Sequence, residues 1–111
     1  MDPLQSAREL AKSIQQSTEY HNFQKAYKEL KEDSAASSIF NDLRNLQMEM
    51  QQLQAQGEEL PSEKEEKLNK IAEAANYNKT VKSFIEAETN FANIIKDIQQ
   101  IIADAIDVED D

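Results

Sequence analysis

The sequence predicts an all-α fold, and three observations carry that prediction. One glycine and two prolines in 111 residues leave almost nothing for the tight turns that strand-rich domains need. Helix formers such as Ala, Gln, Glu, Lys and Leu, with Ile beside them, fill most of the chain. The periodic apolar segments recur at intervals of three and four residues, the helical spacing, and not at intervals of two. The expected architecture is an elongated bundle of about five helices, two of them long, at about 35–56 and 79–106. Residues 1–106 are expected to form a single helical domain, followed by an acidic, disordered tail at 107–111.

The first helix is predicted from about Pro3 to Gln16. Asp2 can cap it, and Pro3 stands at the first helical position, where a missing N–H does no harm. Leu4, Ala7, Leu10, Ala11 and Ile14 mark one face. Ser17 or Thr18 caps a second helix to about Lys31, with Tyr20, Phe23, Tyr27 and Leu30 on its apolar side. Asp33 or Ser34 caps a third, roughly Ala35 to Gln56. Its seam of Ala36, Ile39, Leu43, Leu46, Met50 and Leu53 is the narrow stripe of a coiled-coil-like contact. Gly57 follows the last periodic residue and reads as the left-handed cap that ends the helix.

Leu60-Pro61-Ser62 is a loop. Ser62 with Glu65 has the spacing of a capping box opening a fourth helix, whose inner face is Leu68, Ile71, Ala72 and Ala75. Asn76-Tyr77-Asn78 predicts a break. The last helix then runs from about Lys79 to Ile106. At 100° per residue Val81, Phe84, Phe91, Ile94, Ile95, Ile98, Ile101, Ile102 and Ala105 fall within an arc of about 160°, wider than the roughly 100° that one neighbour covers. Phe91, Ile95, Ile98 and Ile102 lie near the centre of that arc and are expected to be covered in any arrangement. At 1.5 Å per residue this helix is about 42 Å long, longer than the roughly 34 Å diameter of a compact sphere of this mass. A second copy of the chain is therefore expected to cover the excess apolar face. Ile94, Ile101 and Ala105, toward one edge of the arc, are the candidate contact residues. Gln47, Gln51 and Gln54 flank the third helix's seam and could meet a partner helix through amide hydrogen bonds.

Charge and composition exclude several functions. There are 12 basic against 22 acidic residues, a net of -10, so direct nucleic-acid binding, which needs clustered Lys and Arg, is not expected. Most of the excess lies in residues 57–111, with 6 basic and 14 acidic groups; it reads as a solvated face and tail, or as a site for a basic partner. Without cysteine there is no disulfide, thiolate or cysteine-held cluster. The single histidine, His21, lacks the glutamate three residues earlier that a bundle di-iron site requires; Thr18 stands there. One glycine cannot build a phosphate loop. Glu63-Lys64-Glu65-Glu66-Lys67 reads as an exposed first helical turn whose acids suit the helix dipole. Glu88, on the edge of the last helix's apolar arc, reads as a boundary carboxylate reaching water. No cofactor is expected. The start is acidic and without an apolar run, unlike a secretory signal, and no stretch is apolar enough to span a membrane. The expected location is the cytoplasm.

The third helix carries a resemblance. Phe40-Asn41-Asp42-Leu43-Arg44-Asn45-Leu46-Gln47, continued by Gln51-Gln52-Leu53-Gln54-Ala55-Gln56-Gly57-Glu58-Glu59, resembles the YheA branch of the YlbF/YmcA/YheA family of small bacterial proteins. Ala7 with Leu10 and Ile14, the Ser17-Thr18-Glu19-Tyr20 junction, and Ala87-Glu88 with Ile98, Ile101 and Ile102 agree with it. The resemblance implies a helical protein that associates with itself or with relatives and regulates without catalysing. YlbF- and YmcA-like members act in a multiprotein complex that influences competence, sporulation and biofilm formation and is linked to an RNA-degrading enzyme. Iron–sulfur binding is associated with that complex through cysteines, which this chain lacks. Its final turn, Ala103-Asp104-Ala105-Ile106, also departs from the branch, which often has Lys-Pro-Leu there.

Sequence alone thus leads to a non-enzymatic helical adaptor or regulator, expected to be a homodimer because the last helix needs a cover, binding itself, family members or another cytoplasmic protein. A structural or chaperone-like helical dimer is the alternative. An enzyme with a carboxylate site between helices is the remote one, because such a site needs converging acids.

Overall fold

The computed structural model describes residues 1–107, and among these the only regular structure is helix. Five helices follow one another: α1 (Pro3–Gln15), α2 (Thr18–Glu32), α3 (Ser34–Ala55), α4 (Ser62–Tyr77) and α5 (Lys79–Ala105). The all-α prediction, the helix count and the two long helices all hold. Asp107 is exposed beyond α5, and the rest of the expected acidic tail, 108–111, lies outside the described residues.

Short polar side chains make the junctions. The Asp2 carboxylate accepts from the Leu4 N–H at 3.2 Å, with Pro3 opening α1. At the next junction the Ser17 hydroxyl donates to the Ile14 carbonyl at 2.6 Å and accepts from the Tyr20 N–H at 3.2 Å. One serine therefore closes α1 and opens α2. Asp33 caps α3 by accepting from the Ala36 N–H at 3.0 Å. Asn78, extended at φ -92° and ψ 112°, ends α4, and its side-chain oxygen accepts from the Val81 N–H at 3.0 Å to begin α5. The break expected around Asn76–Asn78 is thus a single residue wide.

Gly57 performs its predicted role. Its φ is +75°, the left-handed region that costs a β-carbon-bearing residue free energy. The Gly57 N–H donates to the Gln54 carbonyl at 3.1 Å, and the Glu58 N–H to the Leu53 carbonyl at 2.8 Å. This paired pattern is a Schellman motif, and it satisfies carbonyls that the end of α3 would otherwise leave open.

The chain gathers into two compact units. One is Ala26–Ile85; the other joins Met1–Lys25 to the chain from Glu86 onward. In the Ala26–Ile85 unit, α3 packs on α4 around a true core of Ala26, Leu30, Ala36, Leu43, Leu46, Ala75, Val81 and Phe84, all buried. Phe84 meets Phe40 edge-on with centroids 4.9 Å apart and Tyr27 at 6.0 Å, both within the range of favourable ring contacts. The second unit is built differently. Phe91 stacks on Phe23 at 5.3 Å and meets Tyr20 at 5.4 Å, yet Ala87 is its one buried apolar residue among those described.

Four local expectations need correction. Ser62 is not the cap of a capping box: Pro61, at ψ 145°, is the cap, no side chain bonds there, and Ser62 is already helical. The Pro61 carbonyl accepts from the Lys64 and Glu65 N–H groups, both at 3.0 Å, so the helix starts one residue earlier than the side-chain pattern suggested. Ile102, expected to be covered, is half exposed. Ala72 is exposed, while Ala75 one turn on is buried, which narrows the inner face of α4. On α2 Leu30 is buried as expected, but its companion is Ala26, and the larger Tyr27 keeps 46% of its surface in water; a small side chain lets the neighbouring backbone approach where a ring would not fit.

Candidate interaction surface

Several of the residues that carried the family resemblance are structural. Phe40 sets its ring edge against Phe84, Arg44 places its guanidinium 4.8 Å from the Phe40 ring centroid, and Leu43 is buried. The planar guanidinium covers the face of the ring more fully than an ammonium would. Gly57, further along the same run, closes the helix. Their spacing follows from the packing of one side of α3, so it need not mark a reactive site.

The α5 candidates lie in the unit with the thin core. Ile94 is half-buried, Ile101 is 69% exposed, and Ala105 is exposed. From Ile101 to the end of α5 every residue is exposed. Leu4 at 65%, Ile102 at 50% and Ile106 at 69% are left open in the same unit. A folded chain seldom leaves so many large aliphatic groups in water within so small a unit, because each buried Leu or Ile contributes about 1.5–3 kcal/mol. Leu4 and Ile106 were not singled out as contact residues from sequence, although Leu4 had been placed on the apolar face of the first helix.

The glutamine candidates fall in the other unit, on α3. Gln47 is half-buried, while Gln51 and Gln54 are exposed. Gln54 lines a cleft of about 520 Å³ formed by the end of α3, the following loop and the start of α4. Met50, Leu60 and Leu68 give this cleft an apolar floor, and Glu58, Glu59 and Glu65 stand around it. Leu60 and the loop carboxylates were outside the sequence candidates because no periodicity marks a loop.

Polar chemistry is sparse. His21 is exposed and Glu88 half-buried on α5. Lys64, in the first turn of α4, pairs with Glu49 of α3, and Lys70 pairs with Glu66 at 3.6 Å. Exposed pairs of this kind contribute little to stability. Among the described residues no three His, Cys, Asp or Glu side chains converge as metal ligands would, and no helix is long and apolar enough to cross a membrane.

Comparison with known proteins gives a consistent answer. A UPF0342 protein of Staphylococcus saprophyticus is 31% identical over 101 residues, spanning 91% of this chain and 89% of the relative. A UPF0342 protein of Caldicellulosiruptor bescii is 30% identical over 105 residues, covering 95% and 88%. Among solved structures, a protein of unknown function (DUF964) from Bacillus stearothermophilus superimposes with a TM-score of 0.80 over 95% of this chain and 93% of that one, at 24% identity. Bacillus subtilis RicA, solved in complex with RicF, superimposes with a TM-score of 0.66 over 93% and 92%, at 29% identity. The family model described as "Control of competence regulator ComK, YlbF/YmcA" matches residues 4–107. On that match, which takes in all five helices, the chain belongs to the YlbF/YmcA family.

Proposed function

We propose that this protein is a non-enzymatic adaptor that acts by protein–protein contact, and that it self-associates through the exposed apolar residues at the end of α5. The observation that carries the reading is the contrast in burial between the two units. Among the described residues all the buried apolar ones except Ala87 lie in Ala26–Ile85, whereas Ile101, Ile102 and Ile106 are largely exposed. A unit that buries one alanine has little hydrophobic free energy with which to offset its conformational entropy. A second chain laid on α5 would supply it.

Ile94, Ile101 and Ala105 are the proposed contact residues, and Leu4 and Ile106 extend the exposed set. Gln51 and Gln54, exposed on α3, are available to a partner helix as amide donors and acceptors that would set register more than affinity. Similarity supports contact with a protein partner: RicA, the 29%-identical neighbour, was solved in complex with RicF. The regulatory setting follows from the family's description as controlling a competence regulator. The proposed compartment is the cytoplasm.

The test is the double variant Ile94→Asp/Ile101→Asp, followed by sedimentation velocity and circular dichroism. The expected result is a helical monomer, or a poorly folded chain if the dimer is obligate. A variant that keeps the association constant of the wild type overturns the proposed surface.

A further inference from the structure

The cleft between α3 and α4 lies within the Ala26–Ile85 unit and has its own chemistry. Its floor is apolar and only partly covered: Met50, Leu60 and Leu68 are each half-buried. Its rim is anionic. Glu58, Glu59 and Glu65 are exposed, and none has an ion-pair partner among the described residues. The nearest ammonium in sequence, that of Lys64, is engaged by Glu49. Residues 58–67 hold five glutamates against two lysines. Glu65 sits in the first turn of α4, where the helix dipole favours an acid. Glu58 and Glu59 precede the helix, and the Schellman turn at Gly57 fixes where they leave α3. An apolar floor ringed by uncompensated carboxylates is complementary to a cationic, apolar ligand.

We infer that this cleft docks a short basic segment of another protein, one that inserts a large aliphatic or aromatic side chain between flanking Lys or Arg residues. The volume, about 520 Å³, lies within the range of sites that enclose several side-chain-sized groups. Gln54 and Asn69 also line the cleft and give an extended segment amides to bond with. The inference rests on the adaptor reading and extends it by giving the chain a second docking site. It also gives a use to the acidic excess in the C-terminal half.

The experiment uses a fluorescently labelled peptide of alternating Lys and Leu, titrated with the full chain and read by anisotropy. Matched peptides replace Leu by Ser or Lys by Glu. Saturable binding is expected for the Lys/Leu peptide alone. The variant Glu58→Gln/Glu59→Gln/Glu65→Gln changes only exposed side chains and should weaken binding about tenfold, the combined effect of three rim charges. Met50→Gln should weaken it through the floor, with the melting temperature measured alongside. No saturable binding, equal binding of the Ser peptide, or no loss in the triple variant each overturns the proposal. The triple variant should keep the wild-type oligomeric mass, so failure here is distinguishable from failure of the self-association reading.

Discussion

Replacing Phe84 by Ala should remove the centre of the Ala26–Ile85 unit. Phe84 is 3% exposed and touches the rings of Phe40 and Tyr27. Truncating a buried Phe typically costs about 3–5 kcal/mol, through lost transfer free energy and the cavity left behind. Against a total stability of about 5–15 kcal/mol for a domain, that is about a fifth of the whole or more. At roughly 4–5 °C per kcal/mol for a chain of this length, the melting temperature should fall by about 12–25 °C. The informative control is Ile102→Ala. Ile102 is already half exposed, so within one chain its truncation should cost about 1 kcal/mol or less. Thermal unfolding followed by far-UV circular dichroism at two protein concentrations distinguishes the roles. The Phe84→Ala loss should be nearly independent of concentration, and the Ile102→Ala loss should shrink on dilution, because an interface contributes by mass action only while the chains are associated. A Phe84→Ala loss below about 1 kcal/mol would refute the assignment of the core to this unit.

Two backbone predictions follow from the junctions. Gly57→Ala should destabilise by about 1 kcal/mol: nothing lies within 4 Å of the added methyl group, so the whole cost comes from the positive φ. Chemical denaturation should show a lower midpoint with an unchanged slope. Asn78→Ala removes the side-chain acceptor for the Val81 N–H and should cost about 1 kcal/mol; a neutral result would mean that the one-residue break needs no cap.

The fold was legible in the sequence because each helix carries its own start and stop signals. Asp2, Ser17, Asp33 and Asn78 are short polar side chains that can accept from a free N–H two or three residues on, and Gly57 is the one residue that adopts a left-handed cap at no steric cost. The seam of α3 was legible for the same local reason: its period identifies the face that Leu43 and Leu46 bury. Ser62 misled because Ser-x-x-Glu fits both a cap position and a first helical residue, and backbone geometry chose the second.

The limits of legibility were different for the surfaces. Periodicity shows which side of α5 is apolar but carries no information about which chain supplies the cover, so Ile102 was expected to be buried and is not. The cleft is harder still to read. Met50 belongs to a seam, Leu68 to another helix and Leu60 to a loop, and only the turn at Gly57 brings them around one space. Alanines such as Ala26 and Ala75 are buried because helices approach closely there, a fact that hydrophobic patterning weighted toward large residues misses.

The central claim is that the open apolar end of α5 is completed by a second copy of this chain. Light scattering coupled to size-exclusion chromatography on the wild-type protein, at micromolar concentration and below, tests it most directly. The account predicts a mass twice the 12.7 kDa of one chain, falling toward one chain only on dilution. A single-chain mass throughout, with full helicity retained, would contradict it.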